Sequence, residues 1–146
     1  MFRWLNCRNI FFMHTRQTFT KAEKLCNKQL IEKLFTKGKS FFHYPFKVVY
    51  YVVGATDPYS GNYPVKVLFT VSKRHFKKAV DRNRIKRLVR EGYRKNKARL
   101  YDELNETDVK LVIGIIYTGR GLPTYCETEK KIITIIHRLT VELKKT

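Results

Sequence analysis

The side chains with the clearest chemistry in this sequence are the cations between Lys73 and Arg99. Thirteen Lys and Arg residues stand there against two acids, which gives this block a net charge of +11 out of the chain's +19. A helical wheel at 100° per residue places six polar side chains within one arc of about 140°. They are Arg82, Asn83, Lys86, Arg87, Arg90 and Arg94. Since Ile85, Leu88, Val89 and Gly92 lie on the opposite side, the block is predicted to form a helix with one apolar and one cationic face.

The cationic face has the chemistry of a phosphate-binding surface. Solvated helix surfaces usually place opposite charges at i,i+4, whereas Arg82, Lys86, Arg90 and Arg94 place like charges there. Phosphates lying between the cations would relieve this repulsion, and the planar Arg fork binds phosphate oxygens in pairs. Asn83 can both donate and accept, so it could contact a base or sugar edge. Nucleic acid is therefore the predicted partner, and an anionic membrane surface is the alternative.

The composition agrees with a globular protein that binds a polyanion. A chain of 146 residues with 43% hydrophobic residues can form one domain and bury roughly two-thirds of its unfolded surface. A net charge of +19 destabilises the compact state by self-repulsion unless an anionic partner is bound. No apolar run approaches the ~20 residues that span a bilayer. Because Cys7, Cys26 and Cys126 are widely spaced, we expect free thiols in a reducing cytoplasm.

The sequence offers no pattern for catalysis by the protein itself. Its four histidines are scattered, and no acidic pair follows a metal-ligand spacing. A metal-dependent nuclease would need converging carboxylates. We therefore predict no catalytic residue and no tightly bound metal in this chain.

The first half of the chain predicts one helix and three strands. A capping box at Thr20–Glu23 predicts the start of a helix that ends near Gly38. The aromatic and β-branched stretch from Phe41 to Val53 predicts two strands, because Pro45 interrupts it. Turn residues between Gly54 and Pro64 predict a hairpin loop that leads into a strand over Val65–Ser72.

After the basic block, the sequence predicts a buried strand and a last helix. The nearly continuous apolar run from Asp108 to Tyr117 is typical of a strand buried on both faces. A second capping box at Thr124–Glu127 opens a helix with an apolar side. The order helix, strands, helix, strand, helix predicts an α+β fold within a single domain over 17–146. Residues 1–16 precede the first capping box and are predicted to be disordered, or a mis-assigned start with Met13 as the initiator.

The basic block resembles a known family. Lys78 to Glu91, built around Arg82-Asn83-Arg84, is similar to the signature helix of bacterial ribonuclease P proteins, and Phe69–Arg74 resembles the strand end that leads into it. The resemblance extends from Thr20 to Leu143. It implies a small two-layer α+β sandwich like domain 2 of ribosomal protein S5. Its central sheet would be mostly antiparallel with a left-handed βαβ crossover, against the usual right-handed rule.

The resemblance also implies a function. The protein would be the subunit of a ribonucleoprotein that binds ribonuclease P RNA and the 5′ leader of precursor tRNA. It would promote endonucleolytic removal of the leader. Catalysis would come from the RNA with Mg²⁺, in the cytoplasm, with no membrane and no obligate protein partner. The open alternatives are a structural RNA-binding protein of ribosomal type with no substrate role, and a module that reads duplex DNA.

Two sets of site residues follow from the resemblance. The expected contacts to the partner RNA are Lys73, Lys77, Lys78, Arg82, Asn83, Lys86, Arg87, Arg90 and Arg94. The expected lining of a cleft for the precursor leader, between the first helix and the sheet, is Ile31, Phe35, Phe46, Val49, Tyr51 and Thr70. The strand aromatics Phe41, Phe46, Tyr50 and Tyr51 are candidates for stacking on bases.

Overall fold

The computed structural model describes residues 18–54, 56–59 and 63–145. Within this part of the chain there are four α-helices, four strands and a single 3₁₀ turn over Lys21–Glu23. The helices are α1 (Lys28–Lys37), α2 (Ala79–Asn96), α3 (Ala98–Thr107) and α4 (Tyr125–Lys144). The strands are β1 (Lys39–His43), β2 (Phe46–Val52), β3 (Val65–Val71) and β4 (Leu111–Tyr117). The predicted extension 1–16 lies outside the described residues.

The four strands form one mixed sheet in the order β1-β2-β4-β3. β1 pairs antiparallel with β2, β2 antiparallel with β4, and β3 parallel with β4. The predicted hairpin between β2 and β3 is therefore wrong, because β4 lies between them. β4 is apolar throughout and buried along nearly all its length, and only a central position in the sheet buries both faces of a strand.

The helices cover the two faces of the sheet unequally. α2, α3 and α4 pack on one face and share the larger core with Phe46, Val67 and Ile113. α1 lies on the other face, where Leu30 and Leu34 meet Val49 and Val112 in a smaller cluster. The predicted α+β class is confirmed. β3, α2, α3 and β4 form a parallel crossover, and its left hand stays a prediction because strand order does not test it.

The first helix begins later than its capping box predicts. The Glu23 carboxylate does accept a 2.6 Å hydrogen bond from the Thr20 N–H, but the box opens only the 3₁₀ turn. α1 starts at Lys28, where the Asn27 side chain accepts from the N–H groups of Gln29 and Leu30. The chain between them is extended at Lys24, which bridges to Val67. The chain is therefore extended here and not helical, and this conformation buries Leu25 against the sheet.

The basic block folds as two helices and not as one. α2 starts only at Ala79, so Lys73–Lys78 form the loop before it, and α3 follows after Lys97. Gly92, on the apolar side of α2, faces another helix and not the sheet. A Cβ at Gly92 would lie 3.5 Å from the Glu129 backbone and 3.6 Å from the Ile132 side chain, so the close neighbour is α4.

Two glycines should respond oppositely to replacement by alanine. A Cβ at Gly38 would lie 2.1 Å from the Leu34 carbonyl oxygen, so Gly38→Ala should lower the free energy of unfolding by about 1–3 kcal/mol. At Gly92, which lies within a helix, an added Cβ would make only ordinary contacts. Gly92→Ala should therefore raise the free energy of unfolding by about 0.5–1 kcal/mol. Urea denaturation of both variants beside wild type measures the difference. Shifts of the same sign would contradict the packing described for one of the two positions.

Candidate nucleic-acid interface

The cationic side of α2 is accessible along the middle of the helix. Ile85, Val89 and Tyr93 are buried and fix the helix on the core. Asn83, Arg87 and Arg90 are exposed on the other side, and Lys86 is half-buried beside them. We call these four residues with Arg82 and Arg94 the α2 stripe. The structure thus brings the six predicted side chains to one helix surface.

One border of the α2 stripe lies beside the edge strand β3. The Arg90 guanidinium lies 5.9 Å from the centre of the Phe19 ring. Phe19 in turn contacts Phe69 of β3 and Tyr93 of α2, with ring centres 5.7 and 6.2 Å away. The aromatic cluster therefore contacts one side of the Arg90 guanidinium, and Arg90 remains exposed to solvent.

Two members of the α2 stripe already have partners within the protein. Nη1 of Arg82 donates to the carbonyl oxygens of Phe76 and Lys77 at 2.8 and 2.7 Å, so it holds the loop that leads into α2. Arg94 forms a two-point contact with Glu91, at 3.0 Å from Nε and 2.5 Å from Nη2. Hydrogen bonding from Arg94 lowers the pKa of Glu91. The main outward positions for a phosphate are therefore Lys86, Arg87 and Arg90.

The predicted cations before the helix extend the same surface. Lys73, Lys77 and Lys78 are all exposed in the loop between β3 and α2. Arg82 bonds this loop to the first turn of α2, which keeps the loop cations next to the α2 stripe. The loop cations and the α2 stripe therefore lie next to each other on the β3 side of the molecule.

The opposite face of the sheet carries a row of accessible side chains that α1 leaves uncovered. The register places Phe42 opposite Lys47, Lys47 opposite Ile116, and Ile116 opposite Thr70. Phe42 and Lys47 are exposed, and the other two are half-buried. Because these positions alternate with core-facing neighbours along each strand, all four lie on the α1 face. We call this row, with Phe35 of α1, the α1-side groove.

Residues from α1 form the wall of this groove. Phe35 is 50% exposed, and its Cζ lies 4.0 Å from the position that a Cβ on Gly114 would occupy. Ile31 is half-buried and packs against the smaller core cluster. Gly114 thus lets α1 approach the sheet closely. A base that enters from the open side could stack on the Phe35 ring.

Three of the predicted cleft residues have other surroundings. Phe46 is 1% exposed and packs on Tyr117 in the larger core, so its placement in the cleft is wrong. The same holds for the stacking candidates Phe41 and Tyr50, which belong to that core. Val49 is on the correct face but buried beneath α1. Tyr51 is half-buried, and its hydroxyl donates to Asp57 at 2.8 Å.

Asp57 bonds the middle of α1 to the sheet. Its carboxylate accepts from Lys33 of α1, from Tyr51 of β2, and from the Gly54 N–H at 2.7 Å. These hydrogen bonds, that of Lys33 first, lower the pKa of Asp57 to about 2. The side chain is only 4% exposed. This clamp holds α1 in the position that leaves the α1-side groove open.

Sequence reasoning missed Phe42, Lys47 and Ile116. Side chains alternate between the two faces along β2, so the sequence alone could have placed Lys47 on the same face as Val49 and Tyr51. The alignment of the three residues with Thr70 depends on strand order, and the predicted pairing of β2 with β3 gave the wrong order.

The described residues contain no group of three or more His, Cys, Asp or Glu that could hold a metal ion. Cys26 and Cys126 are free and exposed. Within the same ranges, none of the helices is long and apolar enough to cross a membrane.

Comparison with known proteins decides the family. Residues 19–139 match the model of the family described as Ribonuclease P. The chain belongs to the ribonuclease P protein family. It is 38% identical over 112 residues to the ribonuclease P protein component of Porphyromonas gingivalis, which covers 76% of this chain and 78% of that one. It is 35% identical over 126 residues to that of Chlorobium phaeobacteroides, with 82% and 86% covered. The predicted family is confirmed.

A solved structure supports the fold. The ribonuclease P protein of Staphylococcus aureus superposes with a TM-score of 0.63 at 20% identity, covering 82% of this chain and 96% of that one. A mutant of the same protein gives 0.60. Ribonuclease P is the enzyme of tRNA 5′ processing, so the predicted role as a subunit of that enzyme is confirmed at the level of the family.

Proposed function

We propose that this chain binds ribonuclease P RNA through the α2 stripe and holds the 5′ leader of precursor tRNA in the α1-side groove. The observation that carries the proposal is the separation of these two surfaces by the sheet. A cationic helix lies on one face, and an aromatic groove lies on the other. One protein could therefore contact the catalytic RNA and the single-stranded leader at the same time.

Each surface has the chemistry of its partner. Arg87, Arg90 and Lys86 would neutralise phosphates of a folded RNA, with Lys73, Lys77 and Lys78 adding contacts beside them. Phe35 and Phe42 would stack on unpaired leader bases, and Lys47 would lie near their phosphates. Such contacts depend on base planes and charge, so they suit leaders of many sequences.

We assign the Mg²⁺ of the reaction to the RNA partner. The donor sets of the described residues bring no three metal-ligating side chains together, so they do not fit a catalytic metal site. In this proposal the protein binds and positions, and the RNA cleaves the phosphodiester bond. The complex would work in the cytoplasm. Residues 17–146 would form one domain, because both core clusters share a single sheet.

A leader-length experiment tests the groove. In holoenzyme reconstituted with ribonuclease P RNA, Phe35→Ala should weaken binding of precursor tRNA with a leader of several nucleotides by about 1–3 kcal/mol, the stacking energy of one base. Binding of a precursor with a single leader nucleotide should not change. Equilibrium binding at low Mg²⁺, with both precursors, measures the difference.

Ile133→Ala is the matched control, because Ile133 is an exposed apolar residue of α4. It should leave both affinities unchanged. An equal loss for long and short leaders with Phe35→Ala would argue for the alternative, a structural RNA-binding protein without a substrate role. Unchanged affinity of Phe35→Ala for both precursors would show that Phe35 does not contact the leader.

A further inference from the structure

Further exposed aromatic and cationic side chains lie at the other edge of the sheet, next to Phe42 of the α1-side groove. β1 is the edge strand farthest from β3, and therefore from the border of the α2 stripe. At its end, Phe42 and Tyr44 are 56% and 64% exposed, with ring centres 6.3 Å apart. The Tyr44 ring belongs neither to the α2 stripe nor to either core cluster.

α4 supplies the cations of this region. The Arg138 guanidinium lies 4.4 Å from the centre of the Phe41 ring and donates to the Phe42 carbonyl oxygen at 3.3 Å. Lys131 lies two helical turns earlier, on the same side of α4. Lys131 lines a cavity together with Tyr44, which follows β1. Burial first, and then the charges of Lys131 and Arg138, lower the pKa of His43. The positive charge therefore runs along the β1 edge.

An open cavity of about 410 Å³ has both Tyr44 and Lys131 in its lining. Tyr44 and Leu122 form exposed parts of its wall, and Lys131 supplies a charge at its rim. The one carboxylate in the lining, that of Glu127, accepts from the Thr124 N–H at 3.2 Å as part of the α4 cap. The cavity thus combines a flat aromatic surface, apolar walls and a cation.

This combination fits one kind of occupant. An exposed ring stacks on a base only where the base is unpaired, because a duplex hides its base planes. A second copy of this chain, with its charge of +19, would be repelled. We call Tyr44, Leu122 and Lys131, which line the cavity, the β1-edge surface. We propose that this surface binds an unpaired nucleotide of RNA, with its base against Tyr44 in the cavity and its phosphate beside Lys131.

The consequence is a third contact between the protein and RNA. The α2 stripe borders β3, the α1-side groove lies on one face, and the β1-edge surface lies at the far edge. An RNA that reaches two of these surfaces gains affinity because the second contact forms within the same complex. The nucleotide could come from the partner RNA or from precursor tRNA, and both would present the same base and phosphate.

The test uses the full chain and three probes. They are a fluorescent oligouridylate too short to fold, ribonuclease P RNA alone, and a single-nucleotide-leader precursor bound to the reconstituted holoenzyme. To reduce binding at the α2 stripe and in the α1-side groove, Arg87→Ala and Phe35→Ala are both present in every protein used with the oligouridylate. Tyr44→Ala and Lys131→Ala should each weaken oligouridylate binding about fivefold or more. Tyr44→Phe, which keeps the ring, should retain the affinity.

The two large RNAs then identify the source of the nucleotide. A loss with ribonuclease P RNA assigns it to the partner RNA, and a loss only with the precursor assigns it to the substrate. Because neither probe has a long leader, the result is independent of the groove that Phe35→Ala tests. Thermal melts should match wild type, since Tyr44 is 64% exposed. Unchanged affinity of Tyr44→Ala for all three probes, in protein that melts normally, would overturn the proposal.

Discussion

Lys97→Met should lower the free energy of unfolding by about 3–5 kcal/mol, the cost of leaving a buried charge without its partner. Lys97 is 4% exposed and Glu23 is fully buried, and the two form an ion pair in the core. Lys97 also donates to the Thr18 carbonyl oxygen at 2.6 Å, and the Tyr101 hydroxyl donates to the same Glu23 carboxylate. Without Lys97, this carboxylate would remain in the core with hydrogen bonds but no counter-charge.

A surface pair provides the control. Lys144 lies 3.1 Å from Glu103, but its side chain is 66% exposed, so Lys144→Met should cost less than about 1 kcal/mol. Urea denaturation of both variants compares a buried and an exposed lysine. Similar costs for the two would show that the Glu23–Lys97 pair is solvated. The double variant Glu23→Gln with Lys97→Met should regain part of the lost stability, because it removes both charges.

The same pair sets an acid limit to stability. Burial raises the pKa of Glu23, but hydrogen bonds from Lys97, Thr20 and Tyr101 outweigh it, and the pKa falls below its ordinary 4.5. A carboxylate with a lowered pKa stabilises the fold above the unfolded value and loses this contribution as the pH falls through the folded value. Stability should therefore decline below pH 4.5 in wild type. In Lys97→Met, burial dominates and this decline should weaken or reverse.

The second large effect concerns the α2 stripe. Arg87→Ala should weaken binding to ribonuclease P RNA and lower the log–log salt slope by about 0.7–0.9, the value for one phosphate contact. The double variant with Arg90→Ala should lower it by about twice as much. Both residues are exposed, so thermal melts should change little. Salt titrations of wild type and the two variants give the slopes.

Two other positions in the stripe separate charge from structure. Asn83→Ala should cost roughly 1–3 kcal/mol of binding with no change of slope, because it removes a hydrogen bond and no charge. Arg82→Ala should also lower the melting temperature, since Arg82 holds the Phe76 and Lys77 carbonyls. Equal salt slopes for wild type and Arg87→Ala would mean that the stripe faces solvent in the complex.

The sequence by itself determined those features that depend on near neighbours in the chain. The two faces of α2 follow from residues spaced three and four apart, so the wheel separated Arg87 from Ile85 correctly. The cap at Thr124 is formed by Glu127, three residues later, and it opens α4 as predicted. The apolar run over β4 predicted a strand buried on both faces, and the structure confirms this burial. The resemblance around Arg82-Asn83-Arg84 led to the right family.

The tertiary structure alone decided everything that depends on distant partners. Nothing near Lys97 in the chain shows that it pairs with Glu23, 74 residues earlier, or that the basic block divides into two helices at this residue. Strand order placed β4 between β2 and β3, which removed the predicted hairpin and aligned Phe42 with Thr70. Packing of the helices on one face of the sheet buries Phe46 in the larger core. Local patterns specify a periodicity, but which face meets which partner is set by packing across the whole sheet.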